Sequence, residues 1–413
     1  MRTLFLILAC ILGSNLFAAS ITVDPKGKIR TLREAVRMAM NGDTIWLSAG
    51  TYREGNIVIS KNICLFGKDM PVLDGEGKHE ILTVSGENIV IRGIHFLNAG
   101  YSSMNDYAAL KLIDARRVIV ENNTFTNSFF AIHLSNIHYS AIRNNLIRGN
   151  NKSEQLSGNG IHLWKCSNMM VERNHVTAHR DGIYFEFVTA STIYRNVSEG
   201  NVRYGLHFMF SHNNTYLYNT FRKNGAGVAV MYTKQVRMEN NLFDENWGSS
   251  AYGILLKDIT DSYIANNTFL RNTMAIHMEG SSRIQIGQNE FRSNGWAIKV
   301  QASCDNNQFY QNNFLGNSFD VGTNGTVSLN RFYNNHWDKY EGYDMDKNGV
   351  GDIPFHPVSM YSMIVEQQPN TLILFRSFMV SLIDKAEKAI PSLTPQTLVD
   401  ESPSMKPFRY DPR

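Results

Sequence analysis

The sequence predicts an all-β fold, a right-handed parallel β-helix closed at its start by a short helical cap and prolonged at its end by a helical extension. Two observations carry this. The phrase Asn-x-apolar returns at Asn123, Asn145, Asn174, Asn196, Asn219, Asn241, Asn267, Asn289, Asn312 and Asn335, and seven of its nine intervals are 22 or 23 residues. A fixed period in this range marks stacked supersecondary units. Most coils also carry a second phrase, AIHL, GIHL, GIYF, GLHF, GVAV, GILL, AIHM or AIKV, whose alternation has the period of a strand and not of a helix.

Leucine-rich repeats would need a denser leucine pattern, so the match is to a pectin-lyase-like solenoid. The two long intervals, 29 residues after Asn145 and 26 after Asn241, hold the polar inserts NNKSEQLSG and ENWGSSAYG, which bulge from a coil without changing its register. The recurring Asn residues are expected to form an internal ladder at a bend, each amide pairing with backbone and with its neighbours. The glycosylation sequon that begins at Asn196 is then a by-product of the repeat, because a buried rung is closed to modification.

Along the chain, Arg2, the apolar run Leu4 to Leu12 and the small residues Ala18, Ala19 and Ser20 read as a signal peptide over residues 1–20. The run is too short to span a bilayer. The expected mature chain keeps Cys64, Cys166 and Cys304, widely spaced and odd in number, which fits neither a disulfide framework nor a CxxC metal knuckle. Thr31 and Glu34 are spaced as a capping box, and Ala35, Val36, Met38 and Met40 supply apolar surface for a helix that plugs the first coil. The solenoid then runs over residues 21–337.

Residues 338–413 break the period. They bring an acidic loop, a helical segment and a tail, for capping or for docking on a partner. Thr371 to Ile390 is periodic enough for one amphipathic helix, with Leu372, Phe375, Met379, Leu382, Ile383 and Ala386 on one side. Arg376, Asp384 and Lys385 within it exclude a transmembrane span.

In each GIxL phrase the residue between the two apolar ones points outward. Coil by coil that position holds His133, His162, Tyr184, His207, Ala229, Leu255, His277 and Lys299, and two residues on come Ser135, Trp164, Glu186, Met209, Met231, Lys257, Glu279 and Gln301. Adjacent coils lie about 4.8 Å apart, so His207, Met209 and Met231 are expected to converge on one ion, with Tyr184 and Glu186 as outer partners. Imidazole plus thioether is a soft set that suits Cu(I) and not calcium or magnesium. Ligation needs neutral imidazole, so binding should weaken as pH falls through roughly 6.5, the ordinary histidine value. Other histidines, His175, His179 and His212, fall on bends, and the HRDG phrase at His179 is too slight to call catalytic. Asp344, Asp346, Asn348 and Asp352 alternate oxygen donors around Gly349 as calcium loops do, but no bidentate Glu follows at the EF-hand distance.

A net charge of +3 leaves no field that dictates a partner, and no basic aromatic groove points to nucleic acid. Carbohydrate-cleaving sites on this face need two carboxylates roughly 5 to 9.5 Å apart. Glu186 and Glu279 are separated by three coils, so binding is favoured over catalysis, with a carbohydrate-binding or polysaccharide-processing β-helix as the alternative.

The repeats, followed by NHWDKYEGYDMDKNGVGDIPF and then by LILFRSFMVSLIDKAEKAIPSLTPQTLVDESPSMKP, resemble the NosD family, periplasmic maturation factors of nitrous oxide reductase. The resemblance covers essentially the whole expected mature chain, and the C-terminal block is its specific part. It implies a periplasmic component of an ABC-type system that works with a membrane permease and an ATPase, receives copper from a donor protein and supplies it for the reductase's copper centres. Two positions depart from the family's pattern, Asn348 for a common Asp and Phe378 for an expected Pro. The ligand assignment to His207, Met209 and Met231 comes from the residues and not from the resemblance.

Overall fold

The computed structural model describes residues 18–102, 106–150, 154–155, 157–325, 329–390, 395 and 397–410. The signal-peptide reading, up to residue 17, lies outside them. The chain winds into a right-handed parallel β-solenoid of about 13 turns, whose strands form three parallel sheets of 14, 12 and 13 strands. The second sheet carries the GIxL phrases and the third the Asn-x-apolar phrases.

Both corners of the third sheet are made the same way. The residue before each rung Asn, from Asn122 and Asn144 through Tyr218 and Gln311 to Asn334, sits in the left-handed region. That turn sends two successive side chains off the strand alternation and points the Asn inward. Its Oδ1 accepts both the backbone N–H and the Nδ2 of the Asn one coil earlier, at 2.9–3.2 Å from Asn123 to Asn335. The expected ladder is therefore present and fully buried. A second ladder, five residues further on, was not anticipated. Asn201, Asn224, Asn246, Asn272, Asn294 and Asn317 repeat the same bonds, each again after a left-handed residue such as Gly200, Lys223 or Gly316.

Between the corners, the apolar residue of each Asn-x-Phe phrase stacks on its neighbour. Phe221, Phe243, Phe269, Phe291, Phe314 and Trp337 form a continuous column with ring centroids 4.0–5.5 Å apart. Stacking identical rings at the coil spacing fills the interior without voids.

The first coil is plugged by α1 (Leu32–Met38), whose N-cap Thr31 accepts from Glu34 N at 3.2 Å. Leu32, Ala35, Val36 and Ala39 are buried, whereas Met38 and Met40 are 54% and 65% exposed. The expected contribution of those two methionines is corrected: the buried stripe follows i, i+3, i+4, i+7 from Leu32, and Met38 falls off it.

At the far end, the tail closes the stack. Asp400 pairs beside Phe332 and Ser404 beside His336 as parallel bridges, and the buried Asp400 accepts from Asn335 N and Asn335 Nδ2 at 3.0 Å, so it serves as the last rung of the first ladder. The helical segment does not do this. The single helix expected over 371–390 is instead a 3₁₀ turn (Pro369–Leu374) and α3 (Phe378–Ala389), separated by Arg376 at φ +62° and restarted by the Ser377 cap on Val380 N. A further helix, α2 (Met360–Gln367), precedes them. Tyr361 and Val365 of α2 and Val380 of α3 pack on Trp296 and Phe319 of the second sheet, so the helices lie on a flank of the solenoid and not across its end. Leu372, Met379 and Leu382, assigned to the buried side, are 44%, 55% and 50% exposed, with Ile373 at 89% and Phe378 at 82%. No helix among the described residues is long and apolar enough to cross a membrane.

Candidate functional site

Three outward columns run along the second sheet, set by its register. The middle one reads Lys111, His133, His162, Tyr184, His207, Ala229, Leu255, His277, Lys299, and the one on its C-terminal side Ser135, Trp164, Glu186, Met209, Met231, Lys257, Glu279. This is the alignment the repeats predict. The rings of His133, His162, Tyr184 and His207 follow one another at 4.7–4.9 Å.

These side chains point outward but are not open to solvent, which corrects the expectation of exposed ligands. His207 is 5% and His133 9% exposed. Neighbouring rings cover them, because a column of aromatics one coil apart leaves no gap for water: Phe130 stands edge-on to His133 and His162, and Tyr204 leans over His207. Met209 and Met231 are half-buried, so the thioethers form the rim and the imidazoles the floor.

Burial sets the protonation of the floor. Desolvation lowers His133 to about 4, with Lys111 adding to it against Asp106. His162 is held well below the usual imidazole range by burial, then by His133 and Arg180. Loss of water around a cationic ring favours the neutral form, so His133 and His162 present lone pairs near neutral pH. Tyr184 is pushed up to about 12 by burial and then by Glu186 and Asp181 and stays a phenol. Its hydroxyl donates to Glu186 Oε2 at 3.4 Å and to Met209 Sδ at 3.8 Å.

Both ring nitrogens of His207 are buried without a hydrogen-bond partner. Met209 and Met231 are direct register partners on the strands Tyr204–Met209 and Ala226–Met231. The register thus sets the imidazole and the two thioethers singled out by the repeat alignment at neighbouring positions on two adjacent strands, with Tyr184 and Glu186 one coil before.

Other assignments do not converge. His175 is exposed on the third sheet and bonds Glu199 at 2.8 Å. His179 occupies a rung of the second ladder, its N–H bonded to Asn201. In the acidic loop, Asp344 accepts from Asn348 N and Gly349 N, Asp352 from Met345 N and Asp346 from Asn348 Nδ2. These oxygens are spent on the turn itself. Among the described residues no three His, Cys, Asp or Glu side chains surround a common metal position, here or elsewhere.

One residue that sequence reasoning passed over belongs to the site. Asp181, from the HRDG phrase, starts the strand Asp181–Glu186 and is fully buried. It lies in the third outward column, where other coils place Phe130, Tyr204, Tyr252, Met274 and Trp296. Aligning the residue before each GIxL phrase would have exposed the lone carboxylate.

Away from this site, a cavity of about 860 Å³ lies between the last strand of the second sheet and the C-terminal helices, lined by Phe319, Asp320, Tyr340, Phe355, Tyr361 and Glu387 among others.

Comparison with known proteins adds the following. Residues 150–348 match the family model described as periplasmic copper-binding protein (NosD). The chain is similar to a probable ABC transporter binding protein NosD of Pseudomonas aeruginosa, at 28% identity over 92% of each chain. A second of the same description from Stutzerimonas stutzeri is 26% identical over 89% of this chain and 88% of the other. Among solved structures, PfbA, a surface adhesin of Streptococcus pneumoniae, superposes with a TM-score of 0.56 at 14% identity, covering 70% of this chain and 86% of the adhesin. That last likeness is one of fold alone.

Proposed function

We propose that this chain is a periplasmic accessory protein of the NosD kind, which holds Cu(I) as cargo and passes it on for the copper centres of nitrous oxide reductase. The observation that carries the reading is His207, with both ring nitrogens unpaired beside the register-paired Met209 and Met231. All three lie inside the span that matches the copper-binding family model. Three neutral soft donors without a thiolate bind monovalent copper yet release it, as a carrier must. Tyr184 and Glu186 steady the rim, the phenol through its contact with the Met209 sulfur.

An ABC-type permease and its ATPase are the proposed membrane partners, and a copper donor protein the source of the ion. The relatives' description supports the first, as does the bare apolar side of the C-terminal helices, where Ile373, Phe378, Met379 and Leu382 stand in solvent. Residues 338–413 would then divide the work: the tail around Asp400 caps the coils, and the helices dock.

The test is Cu(I) titration against a competing chelator, with a panel of oligosaccharides run in parallel. Met209→Leu combined with Met231→Leu should weaken Cu(I) tenfold or more, about 1.4 kcal/mol per decade. Equal affinity would move the cargo to the other outward histidines, His133, His162 and His277. Oligosaccharide binding without copper binding would favour the carbohydrate reading.

A further inference from the structure

Asp181 is a buried acid with no ordinary justification. Apart from the amide of Asn159, its column is filled by rings and apolar side chains; Asp181 is 0% exposed, and neither carboxylate oxygen has a hydrogen-bond partner. Moving an unpaired carboxylate out of water costs several kcal/mol, which packing alone never returns. Two groups stand close to it, His207 Nδ1 at 3.7 Å and Arg180 Nε at 3.8 Å. Both of those nitrogens also lack a hydrogen-bond partner. The carboxylate thus faces one specific nitrogen of an imidazole whose two nitrogens are both buried without a hydrogen bond.

We propose that Asp181 is the positioning residue of His207: it takes the Nδ1 hydrogen, holds the ring in the Nδ1–H tautomer, and leaves the Nε2 lone pair for the ion. This rests on the copper reading above. Histidines that ligate metals nearly always donate their other N–H to a carboxylate or carbonyl, and that partner sets both the tautomer and the aim of the ring. The 3.7 Å separation is beyond hydrogen-bond length, and a small rotation of the imidazole closes it when the ion draws Nε2. Arg180, whose Nε approaches the same Oδ2 as His207 Nδ1, offsets the buried charge before cargo arrives. Register fixes the geometry, since Asp181 pairs with Tyr204 on the strand that carries His207. The backbone tolerates little change beside it: a Cβ on Gly182 would lie 2.0 Å from Ser198 Oγ.

The experiment reads the tautomer directly, by long-range nitrogen–proton correlation on protein labelled with ¹⁵N-histidine, with His207→Gln to assign the signal. Metal-free wild type should show His207 protonated at Nδ1. In Asp181→Asn, the side-chain amide donates to Nδ1 instead, the hydrogen moves to Nε2, and Cu(I) affinity should fall roughly 10- to 100-fold with no drop in the melting temperature. Wild-type His207 protonated at Nε2 would overturn the proposal, and so would the same tautomer in both proteins. A flipped tautomer with unaltered Cu(I) affinity would overturn the link to the cargo. The copper reading fails separately: if His207→Ala binds Cu(I) as wild type does, the site lies elsewhere, while the wild-type tautomer still decides whether Asp181 governs His207.

Discussion

Replacing Asp400 tests how the solenoid ends. The carboxylate accepts from Asn335 N and Asn335 Nδ2 at 3.0 Å, and from Trp337 Nε1 and Asn334 N at 3.1 Å. In Asp400→Ala, Asn335 Nδ2 keeps Phe309 O at 2.9 Å and Asn334 N keeps Ser402 Oγ at 3.2 Å. The Asn335 amide and the indole N–H lose the acceptor they have. Each buried donor left unpaired costs about 1–3 kcal/mol, so the substitution should cost about 4 kcal/mol. Asp400→Asn should cost only about 1 kcal/mol, because an amide oxygen in the same place continues the ladder as every Asn rung does. In a stack where each coil touches only its neighbours, the damage stays local. Urea unfolding measures the size of the effect, and amide hydrogen exchange should show lost protection concentrated in the coils that contain Asn312 and Asn335. Equal stability of the Ala and wild-type proteins, or equal loss in Ala and Asn, would refute the assignment of Asp400 as the terminal rung.

Two further outcomes follow from burial and exposure. His133 and His179 are both lowered to about 4 by burial, so the unfolded chain takes up their protons first as pH falls. Their stabilisation is complete above about pH 6.5 and is lost on the way down to about pH 4, on the order of 3 kcal/mol each. Urea midpoints that stay flat between pH 6.5 and 4.5 would contradict their neutral burial. Ile373→Asp with Phe378→Asp removes the two most exposed apolar side chains of the C-terminal helices. It should leave stability within about 0.5 kcal/mol while abolishing co-purification with the permease and ATPase, and unchanged association would sink the docking role.

The order of the residues was enough for everything that repeats. A 22- or 23-residue period, an Asn at each corner and a two-residue alternation fix the coil, its inside and outside, and which side chains stack, because a parallel solenoid converts sequence spacing directly into neighbour relations. His207, Met209 and Met231 were legible for that reason. What only the tertiary structure decided is where the repeat gives no rule. The sealing of His207 and His133 depends on rings from the same strand, Tyr204 and Phe130, together with those of the adjacent coils, so outward did not mean exposed. The second Asn ladder was visible in the spacing but needed the left-handed turn before each rung to explain it. Arg376 in the left-handed region split a helix that periodicity alone would have run from Thr371 to Ile390. Asp400 reaches Asn335 across 65 residues, and Asp181 meets His207 across a coil boundary. Neither contact leaves a periodic trace, since a single polar residue acquires its role from the burial and the partner that folding gives it.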